Sequence, residues 1–261
     1  MNSPIRWAGS KRQMLGTLMP IGSKVARRYI EPFAGSASLF FALEPREAIL
    51  GDLNSELIAA FRQLRDNPSR VLSAMKKLRT DPQAYYELRK QDPHALIGAD
   101  AAARFFILNR LCFNGLYRTN LKGQFNVPYG RHKSIAIDFN LYHEAADMLT
   151  RATLIHGDFE QTIEHAGAND FVFLDPPYIT RATRGFSEYL PESFSFDDLE
   201  RLERVLVRLD RRNVKFAITY LDCPEARKLL RRWNPGKWTV RRNIAGFSAH
   251  RKTSTELLAT N

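Results

Sequence analysis

Two periodicities divide this chain. Short apolar runs that suit strands cluster toward both ends, and apolar positions spaced three and four apart fill the stretch between them. Arg28-Tyr29-Ile30 reads as a strand that stops at Glu31-Pro32-Phe33-Ala34-Gly35-Ser36-Ala37-Ser38, with a helix over Leu39 to Leu43. Glu47 to Gly51 is a second strand, closed by Asp52. From Ser55 to Asn114 helical spacing dominates: Leu57, Ile58, Phe61 and Leu64 share one face, as do Phe105, Leu108, Leu111 and Cys112. Breaks fall at Asn67-Pro68, Asp81-Pro82 and Asp92-Pro93, because proline pushes the residue before it out of the helical region. Strand spacing returns at Ala152 to His156 and at Phe171 to Leu174, the latter a continuous apolar run as a parallel strand covered on both faces requires. Phe196 to Arg212 is an amphipathic helix opened by Ser195 and Asp198 in a capping box. Val214 to Tyr220 follows as a strand and Pro224 to Trp233 as a helix with proline in its first turn, before closing strands at Lys237 to Arg242 and Thr255 to Ala259. This order predicts a doubly wound α/β core over residues 1–54 and 146–261, interrupted by a mostly helical insertion over 55–145.

Charge narrows the class of partner. The 261 residues carry 39 Lys+Arg against 28 Asp+Glu, a net charge of +11, which favours a polyanion and nucleic acid first. Cys112 and Cys223 sit among apolar or helix-forming residues without metal-ligand spacing, and the six His have no paired partner, so reduced cysteines and no metal are expected. The amino terminus lacks the apolar run of a signal peptide, and no segment approaches the ~18 apolar residues of a membrane span. These features predict a cytoplasmic, DNA-associated protein.

Two strand ends carry the chemistry. Glu31-Pro32-Phe33-Ala34-Gly35-Ser36-Ala37 lies between a strand and a helix, where small residues let a cofactor approach the backbone; its single glycine does not make a dinucleotide fingerprint. Asp52 ends the next strand about 20 residues on, where an acid can accept from ribose hydroxyls. Asp175-Pro176-Pro177-Tyr178 follows the buried strand, at the end where α/β sheets place ligands. An Asp oxygen and a carbonyl held rigid by proline can together accept both hydrogens of an exocyclic NH2, while Tyr178 offers a flat face to a base. Adenine N6 and cytosine N4 both present that group.

The chain resembles the Dam-type DNA adenine-N6 methyltransferases of the D-P-P-Y amino-methyltransferase family. Trp7-Ala8-Gly9-Ser10-Lys11 resembles the W-A-G-G-K cofactor motif and Glu31-Pro32-Phe33-Ala34-Gly35 the E-P-F-x-G motif. Asn114-Gly115-Leu116-Tyr117-Arg118 through Phe125 to Arg131 resembles the DNA-reading hairpin, Asp175 to Tyr178 the catalytic loop, and Arg251-Lys252 through Glu256-Leu257-Leu258 the family's ending. Together these segments span essentially the whole chain. The resemblance implies a Rossmann-like S-adenosyl-L-methionine-dependent methyltransferase core that acts on N6 of an adenine flipped from double-stranded DNA, within GATC or a related site. It implies cofactor contacts from Trp7, Lys11, Glu31, Phe33, Ala34, Gly35, Asp52 and Asp175, and catalysis by Asp175, Pro176, Pro177 and Tyr178. Asp158 is either a contact to the cofactor's adenine or a helix N-cap. Ser10 and Ala37 depart from the family by standing where glycine is usual.

Residues 114–133 contain Arg118, Lys122, Arg131, His132 and Lys133 and no acid, and Leu121-Lys122-Gly123-Gln124 reads as the turn of a basic β-hairpin. Such a hairpin can enter the major groove, where Arg bonds guanine O6 and N7. By resemblance Arg118 reads a base, Asn114, Leu116 and Tyr129 lie near the target, and Asn120 and Lys122 complete the DNA-facing set. Arg6 stands where relatives carry a DNA-contacting Lys. Arg131 and Lys133 read as phosphate contacts. The polar stretch from Ile179 to Ser195 reads as a flap over the flipped base.

Overall fold

The computed structural model describes residues 1–23, 27–120, 122–130, 136–179, 194–241 and 253–261. Its strands are β1 (Tyr29–Glu31), β2 (Ala48–Asp52), β3 (Ala152–His156), β4 (Phe171–Leu174), β5 (Lys215–Leu221), β6 (Gly236–Arg241) and β7 (Thr253–Thr260), joined in one sheet of order β3-β2-β1-β4-β5-β7-β6. The first five are parallel, and β7 runs antiparallel to both β5 and β6. The order reverses between β1 and β4, which opens a crevice at their carboxyl ends.

Consecutive strand residues face opposite sides, and here both sides are apolar. Tyr29, Leu50, Phe171 and Phe173 belong to one buried cluster, while Ile30, Ile49, Val172 and Leu174 belong to the other. That explains the continuous run Phe171–Leu174. Against the first face pack α1 (Leu15–Gly22), α2 (Ser38–Leu43), α3 (Ser55–Asp66), α4 (Pro68–Lys77), α5 (Pro82–Lys90), α6 (Gly98–Leu111) and α7 (Phe139–Leu149). Against the second pack α8 (Phe159–Glu164), α9 (Phe196–Arg211) and α10 (Pro224–Leu230). The helical stretch after β2 therefore shares its core with one face of the sheet. Among the described residues no helix is long and apolar enough to cross a membrane.

The local signals behave as their chemistry requires. Asn54 caps α3, Asp81 caps α5 and Ser195 with Asp198 forms a reciprocal capping box on α9. Helices α1, α7 and α8 were not expected from periodicity: α8 is six residues long, and α1 carries Pro20 within it. The hairpin is looser than the basic β-hairpin expected over 114–133. The chain turns through a 3-10 turn at Phe113–Gly115 with Asn114 and Gly115 at positive φ, and the arms meet at two isolated bridges, Cys112 with Tyr129 and Thr119 with Phe125. Its tip is an Asx turn in which Asn120 Oδ1 accepts from the Lys122 and Gln124 amides at 3.0 Å each.

Candidate active site

A cleft of about 1170 Å³ opens at the carboxyl ends of β1 and β4. It is larger than the roughly 300–1,000 Å³ of a pocket for one small ligand. Arg6, Trp7 and Lys11 line it from the amino terminus, Glu31, Phe33, Ala34 and Gly35 from the loop after β1, and Asp52 from the end of β2. Asn114, Asp158, Asp175, Pro176, Pro177 and Tyr178 complete the expected residues that it collects. In a chain of net +11, the described lining is acidic on balance: Glu31, Asp52, Asp158, Asp175, Asp198 and Glu256 stand against Arg6, Lys11, Arg12 and the Met1 ammonium. That donor set suits a cationic ligand.

The loop after β1 is folded tightly against its neighbours. The Ala34 amide donates to Gly51 O at 2.8 Å and the Gly35 amide to Asp52 Oδ2 at 2.8 Å. Asp52 Oδ1 accepts from the Asn54 amide at 2.9 Å. Gly35 has φ +46°, and a Cβ there would lie 2.8 Å from Trp7 Cδ1. Ala37 also takes a left-handed conformation at φ 48°, so the backbone keeps the turn that glycine would make, at about 1–2 kcal/mol. Ser10 spans the gap left by the other missing glycine: its hydroxyl lies 2.7 Å from that of Ser38 and 3.1 Å from that of Ser36.

Buried polar groups pin the amino-terminal segment from the far side of the chain. Asn109 on α6 donates to Arg6 O at 2.7 Å and accepts from the Arg6 amide at 2.9 Å. Gly115 at φ +65° leaves room for Arg6, whose Cβ would otherwise clash. Trp7 stacks on Tyr117 with centroids 5.4 Å apart and planes 18° apart, tying the amino-terminal segment to the hairpin base. Arg6 itself remains exposed.

The floor of the cleft is an ionic network around Asp175, whose side chain is 19% exposed. Lys11 Nζ lies 2.8 Å from Asp175 Oδ1, and Thr219 Oγ1 donates to the same oxygen at 2.9 Å. Lys11 also donates to Gly9 O at 3.0 Å and to Tyr178 Oη at 3.3 Å. Tyr178 in turn donates to Glu256 Oε1 at 2.9 Å, and its ring tilts against Tyr220 at 5.3 Å. Burial disfavours the Lys11 charge, but Asp175 and Glu256 outweigh it and raise its pKa. Burial pushes the Asp175 carboxyl up despite the pull of Lys11 and Thr219. Burial also drives Glu31 well above the usual carboxylate range, with Tyr29 donating to its Oε2 at 2.9 Å.

At the other end, Asp158 does serve as an N-cap: its Oδ1 accepts from the Glu160 amide at 2.9 Å and pairs with Arg201 at 2.6 Å. It still lines the cleft, so the cap and a ligand contact are compatible. Phe33 stacks on Phe159 at 5.3 Å, with Phe194 edge-on beside it.

The hairpin residues divide. Arg118, Asn120 and Lys122 are exposed, and Arg118 Nε donates to Asn126 Oδ1 at 2.6 Å. Leu116 is half-buried against the core. Tyr129 turns toward the helices, its hydroxyl donating to Thr80 O at 3.2 Å and its ring edge-on to Tyr85 at 5.3 Å. Arg131 and Lys133 lie outside the described residues, as does 180–193 of the expected flap. Asn109, Tyr117 and Thr219 were not anticipated as site residues. Glu256 was noticed only as part of an ending motif, although a carboxylate inside the run to Leu257-Leu258 is a signal of its own.

Residues 7–244 match the model of the family described as D12 class N6 adenine-specific DNA methyltransferase. A type II methyltransferase of Lactococcus lactis subsp. cremoris is 36% identical over 266 residues, covering 98% of this chain and 94% of its own length. A DNA adenine methylase of Escherichia coli (strain K12) is 30% identical over 264 residues, 98% of this chain and 93% of that protein. A DNA N-6-adenine-methyltransferase of Escherichia phage P1 is 32% identical over 235 residues, 87% of this chain but 31% of the phage protein.

Proposed function

This chain belongs to the D12 class of N6 adenine-specific DNA methyltransferases, and from that premise we propose that it methylates an adenine flipped out of duplex DNA, using S-adenosyl-L-methionine. The cofactor, when bound, supplies an electrophilic methyl on a sulfonium. An acidic cleft with a glycine-shaped wall at Trp7 fits such a cation. Trp7, Phe33, Ala34 and Gly35 would line its pocket, Asp52 would meet its ribose hydroxyls, and Glu31 and Asp158 would complete the contacts.

One observation carries the reading: Lys11 and Thr219 both hold Asp175 Oδ1, which leaves Oδ2 to accept from an amine in the cleft. The adenine N6 lone pair is delocalised into the ring, so N6 is a poor nucleophile. Hydrogen bonds from N6–H to Asp175 and to the Pro176 carbonyl would localise that pair as nitrogen approaches tetrahedral geometry. Tyr178 and Pro177 would fix the ring so that N6 lies in line with the methyl group. As N6 takes up the methyl group it would give up one proton, which Asp175 would accept and pass to water.

We take residues 1–54 and 146–261 as the catalytic part and 55–145 as the part that recognises the target. Arg118 would read a base, with Arg6, Asn114, Leu116, Asn120 and Lys122 beside it and Arg131 and Lys133 on phosphates, while Tyr129 supports the hairpin against α5. GATC or a related site is the expected target. The test is to incubate the protein with unmethylated plasmid and S-adenosyl-L-methionine, digest to nucleosides, and identify the product by mass spectrometry. N6-methyladenine from the wild type, and none from Asp175→Ala with DNA affinity retained, is expected. Unchanged turnover by Asp175→Ala would sink the assignment.

A further inference from the structure

Glu256 lies on β7, opposite Trp238 of β6 and Leu221 of β5, and is 5% exposed. Its Oε1 accepts from Tyr178, but its buried Oε2 has no hydrogen-bond partner among the described residues and stands 3.5 Å from Lys11 Nζ. A buried carboxylate oxygen whose close partner is an ion-paired ammonium rather than a hydrogen-bonded donor calls for an explanation beyond packing. The charges around it supply one. A lone buried Lys11–Asp175 pair could neutralise itself by moving one proton from nitrogen to oxygen. A second carboxylate beside Lys11 opposes that transfer, because it favours the ammonium.

We propose that Glu256 is a positioning residue for methyl transfer: it holds Lys11 as the ammonium that clamps Asp175 Oδ1, and it anchors the Tyr178 hydroxyl at the same time. This rests on Asp175 as the acceptor of the target amine. Among the described residues, the groups facing this cluster are Lys11, Asp175 and Tyr178, with Tyr29 and Glu31 beyond Asp175. The Glu256 charge raises the pKa of Lys11 and also raises that of Asp175. Removing it lowers both, so the acidic limb (Asp175 deprotonated) and the basic limb (Lys11 protonated) move the same way.

The experiment is kcat against pH for the full chain at saturating duplex DNA and S-adenosyl-L-methionine, comparing wild type with Glu256→Gln, Glu256→Asp and Asp175→Asn. In Glu256→Gln both limbs are expected to move about one unit to lower pH and the plateau to fall roughly tenfold, with KM for DNA little changed. Glu256→Asp, which keeps the charge but withdraws it by a methylene, is expected to lower the plateau with the limbs in place. Should Glu256→Gln not fold, Glu256→Asp decides: a wild-type plateau overturns the proposal. Unmoved limbs in a folded Glu256→Gln, with Asp175→Asn inactive, overturn it alone. Turnover by Asp175→Asn overturns the reading of Asp175 and this proposal with it.

Discussion

Thr219→Val removes one of the two donors on Asp175 Oδ1 while nearly conserving volume. Thr219 is fully buried on β5, and its single hydroxyl proton goes to Asp175 at 2.9 Å rather than to Leu174 O at 3.5 Å. A hydrogen bond to a charged group is worth about 1.5–3 kcal/mol, and one pKa unit is about 1.36 kcal/mol, so losing it raises the Asp175 pKa by about 1–2 units. Protonated Asp175 cannot accept from the target amine in the same way, so the acidic limb of kcat moves up by that amount. The direction is opposite to that expected for Glu256→Gln, which separates the two contacts. Stability changes with it. The folded-state pKa rises further above the unfolded value of about 3.9, so the penalty is full above the folded pKa. It shrinks as pH falls through that value and vanishes where both states are protonated. The assays are single-turnover methylation across pH and thermal melts over the same range. An acidic limb at its wild-type position in a folded Thr219→Val would refute the clamp.

Three further substitutions probe the rest of the site. Asn109→Ala removes both hydrogen bonds to the Arg6 backbone and should cost about 2–4 kcal/mol in chemical denaturation. It should weaken DNA and S-adenosyl-L-methionine binding together, since Arg6 adjoins Trp7; unchanged affinity for both contradicts the pinning role. Gly35→Ala forces a side chain onto a positive φ and into the Trp7 indole, so calorimetry should show weaker cofactor binding with DNA binding kept. Wild-type cofactor affinity would count against the Gly35 wall. Arg118→Ala should forfeit about 1–3 kcal/mol of discrimination at one base pair, seen as relaxed sites when methylated plasmid is sequenced. A uniform loss of rate without relaxation would reassign Arg118 to a phosphate.

The two segments that line the cleft at β1 and β4 were legible because each is written in consecutive residues. Glu31 to Gly35 and Asp175 to Tyr178 each combine an apolar strand, a break and a reactive side chain within a few positions. Asp158 was legible only as two alternatives, and the geometry allows both, since capping engages one carboxylate oxygen. Ala37 and Ser10 stand where glycine is usual in the family: one keeps the left-handed turn, and the other joins a cluster of hydroxyls. The motif around Tyr129 groups it with the DNA-facing residues, yet its side chain packs against α5.

The sequence by itself determined where the chemistry sits along the chain: apolar runs ending in a small-residue loop, an acid and a proline-rigid tetrapeptide, on a chain with excess positive charge. Strand and turn preferences act over a few residues, so they can be read locally. Only the tertiary structure decided which groups tune those motifs. Thr219 reaches Asp175 across 44 positions, Asn109 reaches Arg6 across 103 and Glu256 reaches Tyr178 across 78. Thr219 and Asn109 have no distinctive neighbour sequence, and the carboxylate of Glu256 within an apolar run marks the residue without naming its partner. Their roles come from sharing a low-dielectric interior, where one ammonium and two carboxylates a few ångströms apart set one another's charge.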